Sequence, residues 1–170
     1  MSAPAVTVRR ATPGDAAGVA AVLNAVIREG RHSMLDTPFS VDDERAFIAG
    51  LPARAFVHVA VADGAIVGAQ TVEPWNAYAT HEFDHVATMG TWVAEGWRRR
   101  GVGSRLAAAS FVAARELGYD KVFTDVLAHN AASLAFHLRL GFAVVGAARR
   151  HARLADGDAD VVFIERFLEG

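Results

Sequence analysis

TWVAEGWRRRGVGSRL, residues 91–106, is the part of the chain from which the architecture can be worked out, since it predicts a strand, a tight basic loop and a helix in succession. The β-prone run ends at Val93, arginines occupy positions 98–100, and glycines stand at 101 and 103. Glycine lets backbone amides approach a ligand without a Cβ in the way. The first turn of a helix adds unpaired N–H groups and about half a positive charge, which suits a pyrophosphate. The segment therefore predicts an anion-binding corner.

Two common phosphate motifs do not fit this corner. A P-loop requires lysine where the chain has Val102, and a dinucleotide fingerprint requires glycine where it has Leu106. Taken alone, the same residues also fit a glycine-rich helix start beside a solvated arginine cluster.

The flanking sequence predicts strands that first form a hairpin and then alternate with helices. Asp63-Gly64 is a strong hairpin signal, and Thr12-Pro13-Gly14-Asp15 is typical of a helix start. The predicted helices are 12–29, 40–50, 101–117 and 130–140, and the predicted strands are 5–11, 56–62, 65–72, 86–93, 121–127 and two runs flanking 156–158. This order predicts an α/β (α+β) class, with a mixed sheet covered by helices on both faces in a single domain, 1–170.

Composition excludes several classes of protein. With 52% hydrophobic and 21% charged residues among 170, the chain can bury a full core and is not disordered. A net charge of −2 gives no sign of a nucleic-acid or anionic-membrane partner. The absence of cysteine excludes disulfide frameworks and thiol catalysis. We expect a cytoplasmic protein with no secretion signal and no membrane span.

The corner resembles motif A of the GNAT superfamily of acyl-CoA-dependent N-acyltransferases, through Arg98-x-x-Gly101-x-Gly103. The likeness extends to VRRATPGD at 8–15, to the Asp63-Gly64 hairpin and to NAASLAFHLRLGF at 130–142. The last segment is most similar to the phosphinothricin and L-amino-acid N-acetyltransferase branch, with His137 where most relatives carry tyrosine. The resemblance implies a mostly antiparallel, twisted sheet that splays between its fourth and fifth strands.

The resemblance also implies acetyl-CoA as co-substrate. The pyrophosphate would lie on the amides of residues 99–104, the pantetheine arm would pair with the end of the strand, and the Val93 amide would hold the thioester carbonyl. Asn130 is also a candidate helix N-cap, and both roles can hold. The implied cofactor residues are Trp92, Val93, Arg98, Arg99, Arg100, Gly101, Val102, Gly103, Ser104, Asn130 and Ser133.

Transfer to a primary amine needs a neutral nitrogen and help for the leaving thiolate. Without cysteine, direct attack in a ternary complex is the simplest mechanism. His137 is the candidate proton donor, or hydrogen-bonding group, near the sulfur; it also fits a packed histidine supporting Phe142. Members of the family that the chain resembles often carry a glutamate where this chain has Thr88, and a threonine hydroxyl cannot serve as the base. The candidate bases are instead nearby in the sequence: Glu73, Glu82, Asp84 and His85. Of these we choose Glu73 and His85.

The acceptor side is expected to use Trp75, Tyr78 and Phe39. Arg149, Arg150 and His151 add cations, which would suit an amino-acid-like acceptor whose carboxylate is held by arginine. Taken singly, Trp75 or Tyr78 also fits a ring that caps the core edge. The resemblance further allows a homodimer formed through the C-terminal strands.

Two other functions remain open at this point. His81-Glu82-Phe83-Asp84-His85 spells H-E-x-x-H, the zinc peptidase signature, which requires a helix and a third ligand. The stretch is short and a β-rich run follows it, which favours a loop. A sensor that binds acyl-CoA without turnover is favoured by Thr88 and by the missing tyrosine.

Overall fold

Seven strands and four helices make up the part of the chain that the computed structural model describes, residues 5–75 and 80–168. The strands are β1 Thr7–Arg10, β2 Phe56–Ala62, β3 Ala65–Pro74, β4 Val86–Val93, β5 Lys121–Leu127, β6 Ala143–Leu154 and β7 Gly157–Phe167. The helices are α1 Ala16–Glu29, α2 Val41–Ala49, α3 Val102–Glu116 and α4 Ala131–Arg139. The strands form one sheet in the order β1-β2-β3-β4-β5-β7-β6.

The sheet is antiparallel except where β4 meets β5, and there the two strands separate. They pair only through Val86–Lys121 and Ala87–Val122. Beyond that point β4 stays paired with β3 as far as Val93, while β5 stays paired with β7 as far as Leu127. A wedge-shaped gap therefore opens between the fourth and fifth strands, which confirms the predicted mixed, mostly antiparallel, splayed sheet.

Helices cover both faces of the sheet, as predicted. On one face, β2 and β3 contribute Val57, Val59 and Ala69 to a buried cluster with α1 and α2. On the other face, Ala60 and Val67 pack against α3. The alternation along β2 follows from the two-residue period of a strand, which sends successive side chains to opposite faces.

A capping box marks the start of α2, and a 3₁₀ turn precedes α1. Ser40 Oγ accepts a hydrogen bond from the Asp43 amide at 3.0 Å, and the Asp43 carboxylate accepts one from the Ser40 amide at 3.1 Å, so α2 begins with a capping box. The first helix begins later than predicted, because residues 13–15 form a 3₁₀ turn before α1. There Asp15 accepts from the Thr12 amide at 2.8 Å and pairs with Arg9 at 2.7 Å.

Within the described ranges, no helix combines the length and the apolar character needed to cross a bilayer.

Candidate active site

A cavity lies at the open end of the gap, between the loop that joins β4 to α3 and the first turns of α4. Its lining includes His137 and every residue predicted to bind the cofactor except Arg100, which is exposed with its guanidinium 5.5 Å from the Trp97 ring. The structure thus brings together residues that are more than 30 positions apart in the sequence. Their role in cofactor binding stays a prediction.

The start of α3 has the geometry of an anion site. Gly101 precedes the helix with φ +80°, a conformation that favours glycine, and no side chain caps the helix. The first intrahelical bond runs from the Arg105 amide to Gly101 O, at 3.0 Å, so the three preceding amides, at residues 102–104, have no helical acceptor. They lie in the cavity wall, where a negative ligand group would accept from them.

The edge of β4 presents backbone amides to the gap. In an antiparallel strand the N–H and C=O of one residue point to the same side. The Ala94 amide bonds to β3 at Val67 O, whereas Met89 O accepts from Thr124 of β5 and Val93 O accepts from Arg98. By this alternation the amide of Val93 points away from β3, towards the gap.

Arg98 is not the mobile cation that the sequence suggests. Its two terminal nitrogens donate to the Glu29 carboxylate at 2.8 and 2.5 Å, and its Nε donates to Val93 O at 3.0 Å. The Arg98 and Glu29 side chains are only 30% and 23% exposed. The hydrogen bonds from Arg98 hold the pKa of Glu29 below its ordinary value. Arg98 therefore braces the loop against the end of α1, a contact that sequence reasoning missed because its partners lie 69 residues apart.

The segment 29–32 makes hydrogen bonds to both walls of the cavity. On one side it holds Arg98 through Glu29. On the other, the Asn130 side-chain amide donates to His32 O at 3.3 Å and His129 Nε2 donates to Arg31 O at 3.2 Å. Asn130 also caps α4 by accepting from the Ser133 amide at 3.1 Å, so the predicted N-cap is confirmed.

His137 is buried at the back of the cavity, and its Nδ1 lies 2.9 Å from Ser133 O. Since a carbonyl only accepts, we assign the ring proton to Nδ1, which leaves Nε2 as an acceptor in the neutral form. Burial lowers the pKa of His137. These observations disfavour proton donation and fit the alternative prediction, a hydrogen-bonding group near the sulfur. The ring also meets Phe142 edge-on at 5.2 Å, as expected of a packed histidine.

Glu73 lies directly across from Thr88 in the β3–β4 register. Side chains of directly opposed residues leave a sheet on the same face, roughly 5 Å apart at Cβ. Glu73 is half-buried, and burial raises the pKa of its carboxyl. A carboxyl group is thus present on the strand next to Thr88, directly across from it.

Residues 80–85 form bends and turns rather than a helix. His81 pairs with Asp84 at 3.0 Å, and both are exposed, as are Glu82 and His85. The two histidines of H-E-x-x-H therefore do not share a helix face, and among the described residues no three potential ligands lie close enough to hold a metal. His85, exposed at the start of β4, offers a less sheltered base than Glu73.

The predicted acceptor residues fall in different places. Trp75 contacts Phe83 and Phe123, with ring centroids at 5.1 and 5.6 Å. Phe39 packs against the core under α1, where Asn24 bonds its backbone at 2.9 and 2.8 Å. Tyr78 lies outside the described residues.

The cations predicted for a substrate carboxylate are also divided. Arg150 is bonded to Asp158 through two nitrogens, at 2.9 and 2.8 Å. Arg149 is exposed, and within the described part of the chain no hydrogen bond or ion pair engages its side chain. Arg150 is therefore already neutralised, whereas Arg149 and His151 are exposed, and their role towards a carboxylate stays a prediction.

Comparisons with known proteins agree with this geometry. The model of the acetyltransferase (GNAT) family matches residues 23–142, more than two thirds of the chain. A phosphinothricin N-acetyltransferase of Streptomyces coelicolor is 28% identical over 167 residues, 96% of either chain.

Solved structures show the same fold at low sequence identity. An N-acetyltransferase from Staphylococcus aureus Mu50 superposes with a TM-score of 0.89 at 21% identity, over 97% of this chain and 99% of that one. A GNAT phosphinothricin acetyltransferase from Sinorhizobium meliloti, solved in complex with acetyl-CoA, gives 0.84 at 19% identity, over 95% of this chain and 88% of that one. With its splayed sheet, its open helix start and the family match across most of its length, the chain belongs to the GNAT family of acetyltransferases.

Proposed function

We propose that the protein is an acetyl-CoA-dependent N-acetyltransferase that moves the acetyl group to the primary amine of a small acceptor by direct attack in a ternary complex. The observation that carries the proposal is the cavity in which the free amides of α3 and the gap-facing edge of β4 meet. The family match and the acetyl-CoA complex of the Sinorhizobium meliloti enzyme support the choice of co-substrate.

The co-substrate would lie along the open edge of β4. Its diphosphate accepts from the amides of residues 102–104, with Arg99 and Arg100 adding exposed positive charge. Its pantetheine arm lies along Trp92 and Val93 at the end of β4, and the Val93 amide donates to the thioester oxygen and stabilises the oxyanion that forms there.

Glu73 is the general base of this proposal, and it acts through bridging water, because Thr88 across from it lies five residues, roughly 16 Å, from Val93 along β4. An acceptor amine enters as its ammonium ion, and a carboxylate whose pKa is raised by burial takes up the proton more readily than an exposed one. The neutral nitrogen attacks the carbonyl carbon, the carbon–sulfur bond breaks, and the second proton of the nitrogen passes to the departing sulfur. The products are the N-acetyl amide and coenzyme A. Nε2 of His137 can accept a hydrogen bond from the thiol so formed.

The test follows thiol release from acetyl-CoA across a library of amines, with Glu73→Gln as the variant and Glu82→Gln as the matched control in an exposed turn. Glu73→Gln should lower kcat by roughly 10²- to 10⁴-fold and leave acetyl-CoA affinity unchanged. Glu82→Gln should match the native enzyme. Full activity in Glu73→Gln would remove the base assignment, and the absence of any calorimetric heat with acetyl-CoA would remove the proposed function.

A sensor that binds acyl-CoA without turnover is the second candidate, and Thr88 at the position of the relatives' glutamate is the observation that favours it. Acetyl-CoA binding with no thiol release for any amine in the library would select the sensor.

A further inference from the structure

A row of aromatic side chains from β5, β6, β7, the end of β3 and a turn lines the sheet face beside Glu73. Its ring centroids follow one another at 5.1, 5.6, 5.9 and 5.7 Å. We call this row the aromatic basin; its members, in order of contact, are Phe83, Trp75, Phe123, Phe163 and His151. The first four are only partly buried, so their rings offer apolar surface to a ligand.

The basin and the proposed base share one face of the sheet. Trp75 follows Glu73 by two residues, so their side chains leave β3 on the same side. On β5, Val122 and Val126 are buried on the opposite face with residues of α3, so Phe123 and Asp125 lie on the face of the basin. Asp125 is paired in register with Phe163, which places a second carboxyl among the rings.

The two carboxyls of this face are half-buried, and burial raises the pKa of each. No ion pair engages either of them within the described ranges. The electrostatic effect of His151 lowers the pKa of Asp125, but burial outweighs it. Lys121, whose ammonium nitrogen lies 5.8 Å from the centroid of the Phe123 ring, is already paired with Glu165 at 2.6 Å. The basin therefore offers ring faces and unpaired carboxyls, a combination that attracts cations and repels anions.

We propose that the acceptor is an arylalkyl primary amine that carries no carboxylate beside the nitrogen, as in the arylethylamines. This inference rests on the proposed function and names its substrate class. The acceptor ring packs among Trp75, Phe123 and Phe163, and its ammonium group faces Asp125 before it reaches Glu73. The carboxylate of an amino acid would sit next to the reacting nitrogen and so face the same two acidic side chains.

The amino-acid acceptor suggested by the sequence differs from this class by one group, so matched pairs separate them. The experiment measures kcat/KM from thiol release for 2-phenylethylamine against L-phenylalanine and for tryptamine against L-tryptophan. We expect each amine to exceed its amino acid by at least tenfold, since a like charge placed beside a half-buried carboxyl is strongly disfavoured.

Two variants locate the cause of the preference. Asp125→Asn removes one negative charge from the basin and should reduce the amine-to-amino-acid ratio at least threefold. Arg149→Ala removes an exposed cation that could hold a carboxylate only if the acceptor were an amino acid, and it should leave the ratio unchanged.

The outcomes are distinct. Amino acids accepted as well as or better than their amines would overturn the inference, as would a selective loss of amino-acid turnover in Arg149→Ala. Acetylation of other amines, with neither member of the aromatic pairs accepted, would also overturn it. In all three cases acetyl transfer itself stands. Acetyl-CoA binding without thiol release for any amine, or no binding at all, would instead defeat the proposed function.

Discussion

The contact between Glu29 and Arg98 supports the loop that we propose binds the co-substrate, and Glu29→Gln tests that support. The carboxylate accepts two hydrogen bonds from the guanidinium at 2.8 and 2.5 Å, and the third Arg98 donor holds Val93 O at the end of β4. Glutamine can accept one such bond and carries no charge. The loop would then lose part of the support that presents the α3 amides to the diphosphate.

The magnitude follows from the type and exposure of the bonds. Hydrogen bonds to charged groups contribute about 1.5–3 kcal/mol, and both side chains here remain about a quarter exposed, so we take about 1–2 kcal/mol. If that energy orders the loop, the dissociation constant for acetyl-CoA rises by roughly 5- to 30-fold. Isothermal titration calorimetry measures the change directly.

Glu95→Gln is the matched control, because Glu95 also lies near Arg98 but is exposed and makes no bond to its guanidinium. It should bind acetyl-CoA as the native protein does. In an Arg98→Ala background, Glu29→Gln should add little, since the pair acts as one unit. Equal affinity in Glu29→Gln and Glu95→Gln, or full additivity with Arg98→Ala, would refute the bracing role.

Three further predictions concern glycines and a buried histidine. Gly101→Glu should abolish acetyl-CoA binding measured by calorimetry, while Gly101→Ala, which shares the strain of φ +80°, should weaken it less. Gly90→Ala would place a Cβ against the Trp92 ring and should destabilise the fold by about 1–3 kcal/mol in thermal denaturation, whereas Gly96→Ala, with nothing within 4 Å, should not. Burial lowers the pKa of His58 from 6.5 to about 4, so between these values the unfolded chain binds this proton and the folded chain does not. The free energy of unfolding should therefore be independent of His58 above pH 6.5 and fall by about 3 kcal/mol towards pH 4. Denaturant titrations at each pH should show a smaller fall in His58→Gln.

Local signals predicted the elements well because they depend on neighbours in the sequence. The bounds of β4 and β5 match the predicted strands, and α3 and α4 fall within one residue of the predicted helices at each end. The Asn130 cap was recognisable because a capping side chain bonds only two or three residues ahead. The start of α1 was placed too early, since Asp15 is engaged by Arg9 and by the Thr12 amide.

The roles of single side chains were harder to read. Arg98 appeared to be free charge in a basic run, and only its partner at the end of α1 makes it a brace. The sequence left His137 open as a proton donor, a hydrogen-bonding group or a packed histidine, and only the helix shows its Nδ1 against Ser133 O. Neither partner leaves a local pattern.

The amino-acid sequence alone determined the corner of strand, glycine-containing loop and helix start, because glycine backbone freedom and helix-start amides are properties of a few consecutive residues. Tertiary structure decided which groups meet around it: Glu29 with Arg98, Glu73 across from Thr88, and Trp75 with Phe123 and Phe163. These contacts follow from strand order and register, which arise from packing the whole sheet and which no short segment encodes.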